Sequence, residues 1–123
     1  STPEQLEDNM NYMTDFKPLT PDEYAVIDEV VGIIRASIAI PCTACKYCID
    51  GCPENIAIPE YFALFNNQKQ FGKLATHTVT FSNIALKRGK PSDCIECGQC
   101  EEHCPQHLPI IDDLKLVKGV FED

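Results

Sequence analysis

Cys42-Thr-Ala-Cys45-Lys-Tyr-Cys48-Ile-Asp-Gly-Cys52-Pro53 returns later in the chain as Cys94-Ile-Glu-Cys97-Gly-Gln-Cys100-Glu-Glu-His-Cys104-Pro105. The two runs use all 8 cysteines of the 123 residues. Shifting the sequence by 52 residues (94 − 42) lays Cys42 on Cys94, Cys52 on Cys104, Pro53 on Pro105 and Ile58 on Ile110, an internal duplication. Small residues such as Ala44, Gly51 and Gly98 suit tight loops, and Pro53 and Pro105 each set φ just after the last cysteine, so the preceding turn cannot continue.

The spacing C-x2-C-x2-C-x3-C-P is an iron–sulfur signature, in which the fourth cysteine of one run ligates the cluster held by the other. Two residues between thiolates let three sulfurs converge on one cuboidal cluster while backbone N–H groups point at its sulfurs. Two [4Fe-4S] clusters are therefore expected: one on Cys42, Cys45, Cys48 and Cys104, the other on Cys94, Cys97, Cys100 and Cys52. The alternative is a structural metal domain of two four-thiolate zinc sites, which would contribute folding energy directly. Zinc sites of that kind more often use two separated C-x2-C knuckles, without a third thiolate two residues on and a following C-P.

Composition narrows the class. At 44% hydrophobic the chain has the make-up of one ordinary globular domain. With 19 acidic against 10 basic residues its formal charge is −9, which argues against nucleic acid and favours a basic docking surface on a redox partner protein. No run approaches the roughly 20 apolar residues of a membrane span, and iron–sulfur thiols need a reducing compartment, most simply the cytoplasm. No phosphate loop, G-x-G-x-x-G or Ser/His/Asp context marks a complete enzyme.

Helix signals dominate the rest. Thr2-Pro3-Glu4-Gln5 and Thr20-Pro21-Asp22-Glu23 read as capping boxes. The second opens a helix to about Ala36, with Tyr24, Ile27, Val30, Val31 and Ile34 as an apolar stripe that needs a cover. Ile38-Ala39-Ile40-Pro41 is expected to be extended and to mark the boundary between domains 1–36 and 37–123.

Further helices are predicted from Ile58 to near Gly72, from Leu74 to about Lys87 with Lys87 and Arg88 in its last turn, and from Pro109 to about Lys118, stopped by Gly119. Phe62, Leu64, Phe65, Phe71 and Phe81 read as core, as do Ile49, Ile56 and Leu108. His77 reads as surface, and His103 and His107 as candidates to hydrogen-bond near a cluster. Tyr47 and Ile95 read as shields of the ligands. Glu101, Glu102, Asp112 and Asp113 read as a solvated face. The 41 residues between Cys52 and Cys94 carry helical rather than alternating patterns. The expected fold class is all-α.

With both cysteine runs and a long helical spacer, about Ile38 to Phe121 resembles the helical ferredoxin superfamily, a two-cluster module found in succinate dehydrogenase iron–sulfur subunits, dihydropyrimidine dehydrogenase and heterodisulfide reductase subunits. The first 36 residues resemble the C-terminal end of the aldo/keto reductase barrel, on Thr2-Pro3-Glu4-Gln5-Leu6-Glu7-Asp8-Asn9, Asp15-Phe16 and Leu19-Thr20-Pro21-Asp22-Glu23. That resemblance implies one or two helices from the end of a (β/α)8 barrel. It also implies that Gln5, Asp8 and Asn9 lie against the adenosine end of NADPH, with Asp8 where the family usually has glutamate. A whole barrel takes about 250 residues, so the catalytic Asp, Tyr, Lys and His would lie upstream of Ser1. The implied function is electron transfer through a ferredoxin-like module joined in cis to an aldo/keto reductase barrel.

Overall fold

The computed structural model describes residues 2–14 and 16–122. Asp15, half of the Asp15-Phe16 pair, lies outside the described residues. The chain divides into two compact units, Ser1–Arg35 and Ala36–Asp123. Among the described residues there are helices and one isolated bridge but no strand, and no helix is long and apolar enough to cross a membrane.

The first unit holds α1 (Pro3–Thr14) and all but the last residue of α2 (Pro21–Ala36). Both begin with the reciprocal cap that the sequence announces. The Thr2 N–H donates to Gln5 Oε1 at 3.0 Å and the Gln5 N–H to Thr2 Oγ1 at 3.3 Å. Likewise the Thr20 N–H donates to Glu23 Oε2 at 2.7 Å and the Glu23 N–H to Thr20 Oγ1 at 3.3 Å. These bonds hold the Glu23 carboxyl below its usual range. Neither helix buries a residue, and of the α2 stripe Tyr24, Ile27, Val30 and Ile34 are exposed.

The second unit is built on α4 (Ile58–Phe71) packed against α7 (Ile110–Phe121), with α5 (Ala75–Ala85) also on α4. Two one-turn helices, α3 (Tyr47–Asp50) and α6 (Gln99–Glu102), sit inside the cysteine runs and pack on one another. Tyr61, Phe62, Ile56, Ile58, Ile110, Leu114 and Val117 form the centre of the core, each at most 2% exposed.

Ile40 joins that core although its segment has no helix to satisfy its backbone. The Asn66 side chain replaces one: its Oδ1 accepts the Ile40 N–H at 2.8 Å and its Nδ2 donates to the Ile40 carbonyl at 2.7 Å. Ile40 lies in a bend, not in the extended run expected of Ile38–Pro41, and keeps both peptide groups paired.

Four further expectations need correction. Phe71 is 67% exposed; it is the last residue of α4, and although it stands seven residues, almost two whole turns, after the buried Leu64, no core residue covers it there. His77 is buried, not surface, because it caps α5: the Leu74 N–H donates to its Nδ1 at 3.3 Å, and its Nε2 donates to Asn67 Oδ1 at 2.7 Å. Helix α5 ends at Ala85, so Lys87 and Arg88 lie beyond it, in a turn that carries Gly89 onto the segment just after the first cysteine run. There Gly89 bridges Ile56 and its N–H donates to the Asn55 carbonyl at 3.2 Å. Helix α7 passes through Gly119 to Phe121, since Phe121 stacks on Phe81 at 5.4 Å and Glu122 accepts from the Ser92 N–H and hydroxyl.

Candidate metal centres

The cysteine loops are curved by residues in the left-handed region, and these recur at the shift of 52. Ala44 (φ 55°) matches Glu96 (57°), Lys46 (70°) matches Gly98 (79°), and Asn55 (52°) matches His107 (51°). Backbone hydrogen bonds recur likewise: Ile49 N–H to the Lys46 carbonyl and Glu101 N–H to the Gly98 carbonyl, both 3.0 Å, then Ile58 to Ile56 and Ile110 to Leu108, both 2.9 Å. Side chains in this conformation are strained, so the loop geometry is held by what surrounds it.

Two small apolar cavities result, one slightly the larger. The larger is lined by Cys94, Cys97 and Cys100 with Cys52; the smaller by Cys42, Cys45 and Cys48 with Cys104. Each therefore takes three thiols from one run and the fourth from the other. Ile58 lines both and stands between them. Cys45 and Cys97, the second cysteines of their runs, are exposed, whereas Cys48, Cys100 and Cys104 are buried. No three His, Cys, Asp or Glu side chains among the described residues gather closely enough to hold a single metal ion; the thiols ring a space.

That space suits a charged cluster better than free thiolates. Burial pushes the Cys48 and Cys100 thiols up to about 11 and raises Cys42, because an unpaired thiolate is poorly solvated in an apolar wall. A bound metal would supply the missing positive charge. Backbone N–H groups approach one sulfur on each side, Ala44 to Cys42 Sγ and Ile56 to Cys52 Sγ, both at 3.5 Å. The donor set, the apolar walls and the N–H groups all fit a four-thiolate iron–sulfur cluster.

The neighbouring expectations divide. Ile95 lines the larger cavity, whereas Tyr47 lines neither and is 65% exposed, so it does not shield. His103 Nδ1 donates to the Gln99 carbonyl at 2.8 Å, closing α6, and no histidine hydrogen-bonds a sulfur among the described residues. The carboxylates are not one solvated face: Glu101 Oε1 accepts the Ile111 N–H at 2.9 Å, and the half-buried Asp113 has its carboxyl raised by burial, then by Asp112 and Glu101. Sequence reasoning missed Glu101 as a cap, although it stands ten residues before Ile111 at an otherwise uncapped helix start. On α1, Gln5, Asp8 and Asn9 share one exposed face, and the Gln5 side chain is engaged in the cap.

Comparison with known proteins agrees with the cavities. The 4Fe-4S dicluster domain family matches residues 41–108. The chain belongs to that family. Similar proteins include the F420-dependent formate dehydrogenase subunit beta of Methanocaldococcus jannaschii, 33% identical over 69 residues, which covers 56% of this chain and 18% of that protein. Another is a subunit of the ion-translocating oxidoreductase complex of Buchnera aphidicola subsp. Acyrthosiphon pisum, 27% identical over 82 residues, 67% of this chain and 15% of that protein. The chain thus spans less than a fifth of either relative. No solved structure matches it significantly. A 4Fe-4S dicluster domain with two oxidoreductase subunits among its relatives supports electron transfer in general.

Proposed function

We propose that Cys42, Cys45, Cys48 and Cys104 hold one [4Fe-4S] cluster, that Cys94, Cys97, Cys100 and Cys52 hold the second, and that the domain passes single electrons between partner proteins. The observation that carries this reading is the crossed lining of the two cavities, three cysteines of one run and the fourth of the other in each. The repeated φ angles support an internal duplication with pseudo-two-fold character. The bound cluster supplies the one-electron chemistry. What the chain contributes is binding, apolar walls that exclude water, and two exposed cysteines, Cys45 and Cys97, as points of electron entry and exit.

Residues 1–36 are proposed as the end of an aldo/keto reductase barrel in cis, with Gln5, Asp8 and Asn9 toward NADPH, and the reducing cytoplasm as the site of action. The Thr2–Asn9 and Leu19–Glu23 stretches support this part, along with the two capped helices that follow them. NADPH binding to the chain joined to such a barrel, weakened by Asn9→Ala, is its test; unchanged binding overturns the assignment.

Electron transfer separates from a structural role by one experiment. The anaerobically reduced protein should deliver two electrons per chain, one at a time, to a one-electron acceptor such as cytochrome c. A protein that keeps its clusters yet delivers none has structural centres.

A further inference from the structure

The walls of the two cavities correspond position by position. Under the shift of 52, Cys42, Thr43, Cys45, Lys46 and Cys48 of one wall map onto Cys94, Ile95, Cys97, Gly98 and Cys100 of the other, and Gln106 maps onto Glu54. Each cavity also has the start of a long helix at its edge: Ile58 and Pro59 of α4 on one side, Ile111 of α7 on the other. Both have one N–H at 3.5 Å from a sulfur and one exposed second cysteine. Each centre thus has one helix start, one sulfur hydrogen bond and one exposed cysteine, and they differ in burial at the fourth ligand, where Cys104 is buried and Cys52 half-buried.

Charge breaks the match. Lys46 is the charged residue in the wall of the Cys42 cavity, where the other wall has Gly98; Glu54 is the charged residue in the wall of the Cys94 cavity, where the first has Gln106. Neither side chain makes a hydrogen bond or ion pair among the described residues. Outside the walls one carboxylate also stands near each set of thiols, Asp113 near Cys42 and Glu101 near Cys100. Across the pair of walls, a single cation faces one centre and a single additional anion the other.

Resting on the cluster assignment above, we propose that the two centres differ in their hold on an electron: the centre of Cys42, Cys45, Cys48 and Cys104 is reduced first because Lys46 stands in its wall, and the centre of Cys94, Cys97, Cys100 and Cys52 second because Glu54 stands in its own. Each step moves one electron from an external one-electron donor onto one centre, adds one negative charge and breaks no bond. A lysine ammonium attracts that charge and a carboxylate repels it. Lys46 and Glu54 are positioning residues for the electron, giving the domain a direction, inward through the Cys97 side and outward through the Cys45 side.

The test is a potentiometric titration of the anaerobically purified protein, followed by electron paramagnetic resonance, with iron and sulfide measured on the same sample. Two separate one-electron steps are expected. Lys46→Gln should lower only the upper step and Glu54→Gln raise only the lower. Each should change the reduced-to-oxidised ratio roughly tenfold, ~59 mV for a one-electron couple.

Lys46→Gly with Glu54→Gln leaves both walls with Gly and Gln at the two charged positions and should bring the two steps together. Both side chains are exposed, so high salt should narrow the wild-type separation. A wild-type protein with both clusters and one shared potential overturns the inference while leaving the cluster assignment intact, as does a separation that neither variant changes at full iron content. A protein that takes up no clusters overturns the assignment and this inference together.

Discussion

Gly89 lies against Glu54 so closely that a Cβ on residue 89 would overlap the Glu54 carbonyl oxygen and press on Ile56 as well. This contact ties the turn after α5 to the loop that carries Cys52, Pro53 and Glu54 into the Cys94 cavity. Gly89→Ala must push backbone apart, and a cost of about 2–4 kcal/mol is expected. Thermal melting should drop accordingly, and iron should be lost first from the Cys94 centre. A Gly89→Ala variant with unchanged melting and full iron content would contradict the packing described.

Cys52 and Cys104 each close the cavity of the other run. Cys52→Ala is expected to abolish the cluster at Cys94, Cys97 and Cys100 and to spare the one at Cys42, Cys45 and Cys48; Cys104→Ala should do the reverse. Iron per chain should fall to about half in each, since each retains one four-iron cluster. Both should melt earlier, since each cluster staples the two halves. Resonance spectra of the two variants should be complementary.

Asn66 is a structural hub without any motif to announce it. Its amide pairs both backbone groups of Ile40, which is 1% exposed. Asn66→Leu leaves the buried Ile40 N–H unpaired, while the Ile40 carbonyl keeps the Cys42 N–H at 2.8 Å, and is expected to cost about 1–3 kcal/mol. Denaturant unfolding of the loaded protein is the measurement. Since Ile40 immediately precedes Pro41 and Cys42, the Cys42 centre should also become more labile to chelators than the Cys94 centre.

Cluster loading should rise with pH. Metal ligation needs thiolates, and burial holds Cys48 and Cys100 at about 11 in the metal-free chain. Below that value each thiol must surrender a proton on loading, so every step up in pH favours uptake. Anaerobic iron–sulfide reconstitution should therefore be more complete at pH 9 than at pH 7, with protons released into a weak buffer. Proton release absent over that interval would contradict the burial argument.

Legibility followed the range of the signal. The cysteine spacing, the two capping boxes and the Pro59 helix start are local, and each appears in the structure where the residues put it. What escaped depends on distant partners. Whether Gly119 stops a helix is decided by Phe81 and Ser92, which hold Phe121 and Glu122 in place. Whether His77 is surface is decided by Asn67 and by the backbone of Leu74. Phe71 looked apolar enough for the core, yet at the last position of α4 it is left exposed. The charge difference between the cavities is visible in the sequence once the repeat is aligned, but only the three-dimensional lining says that Glu54 belongs with Cys94 rather than with Cys48.

The most direct measurement of the central claim is the visible spectrum of the anaerobically purified protein before and after dithionite, with iron, zinc and sulfide quantified on the same sample. Two four-iron clusters predict a brown protein with a broad absorbance that bleaches on reduction, about eight irons per chain and matching sulfide. A colourless protein carrying zinc in place of iron, and refusing iron–sulfide reconstitution, would contradict it and leave a structural metal domain.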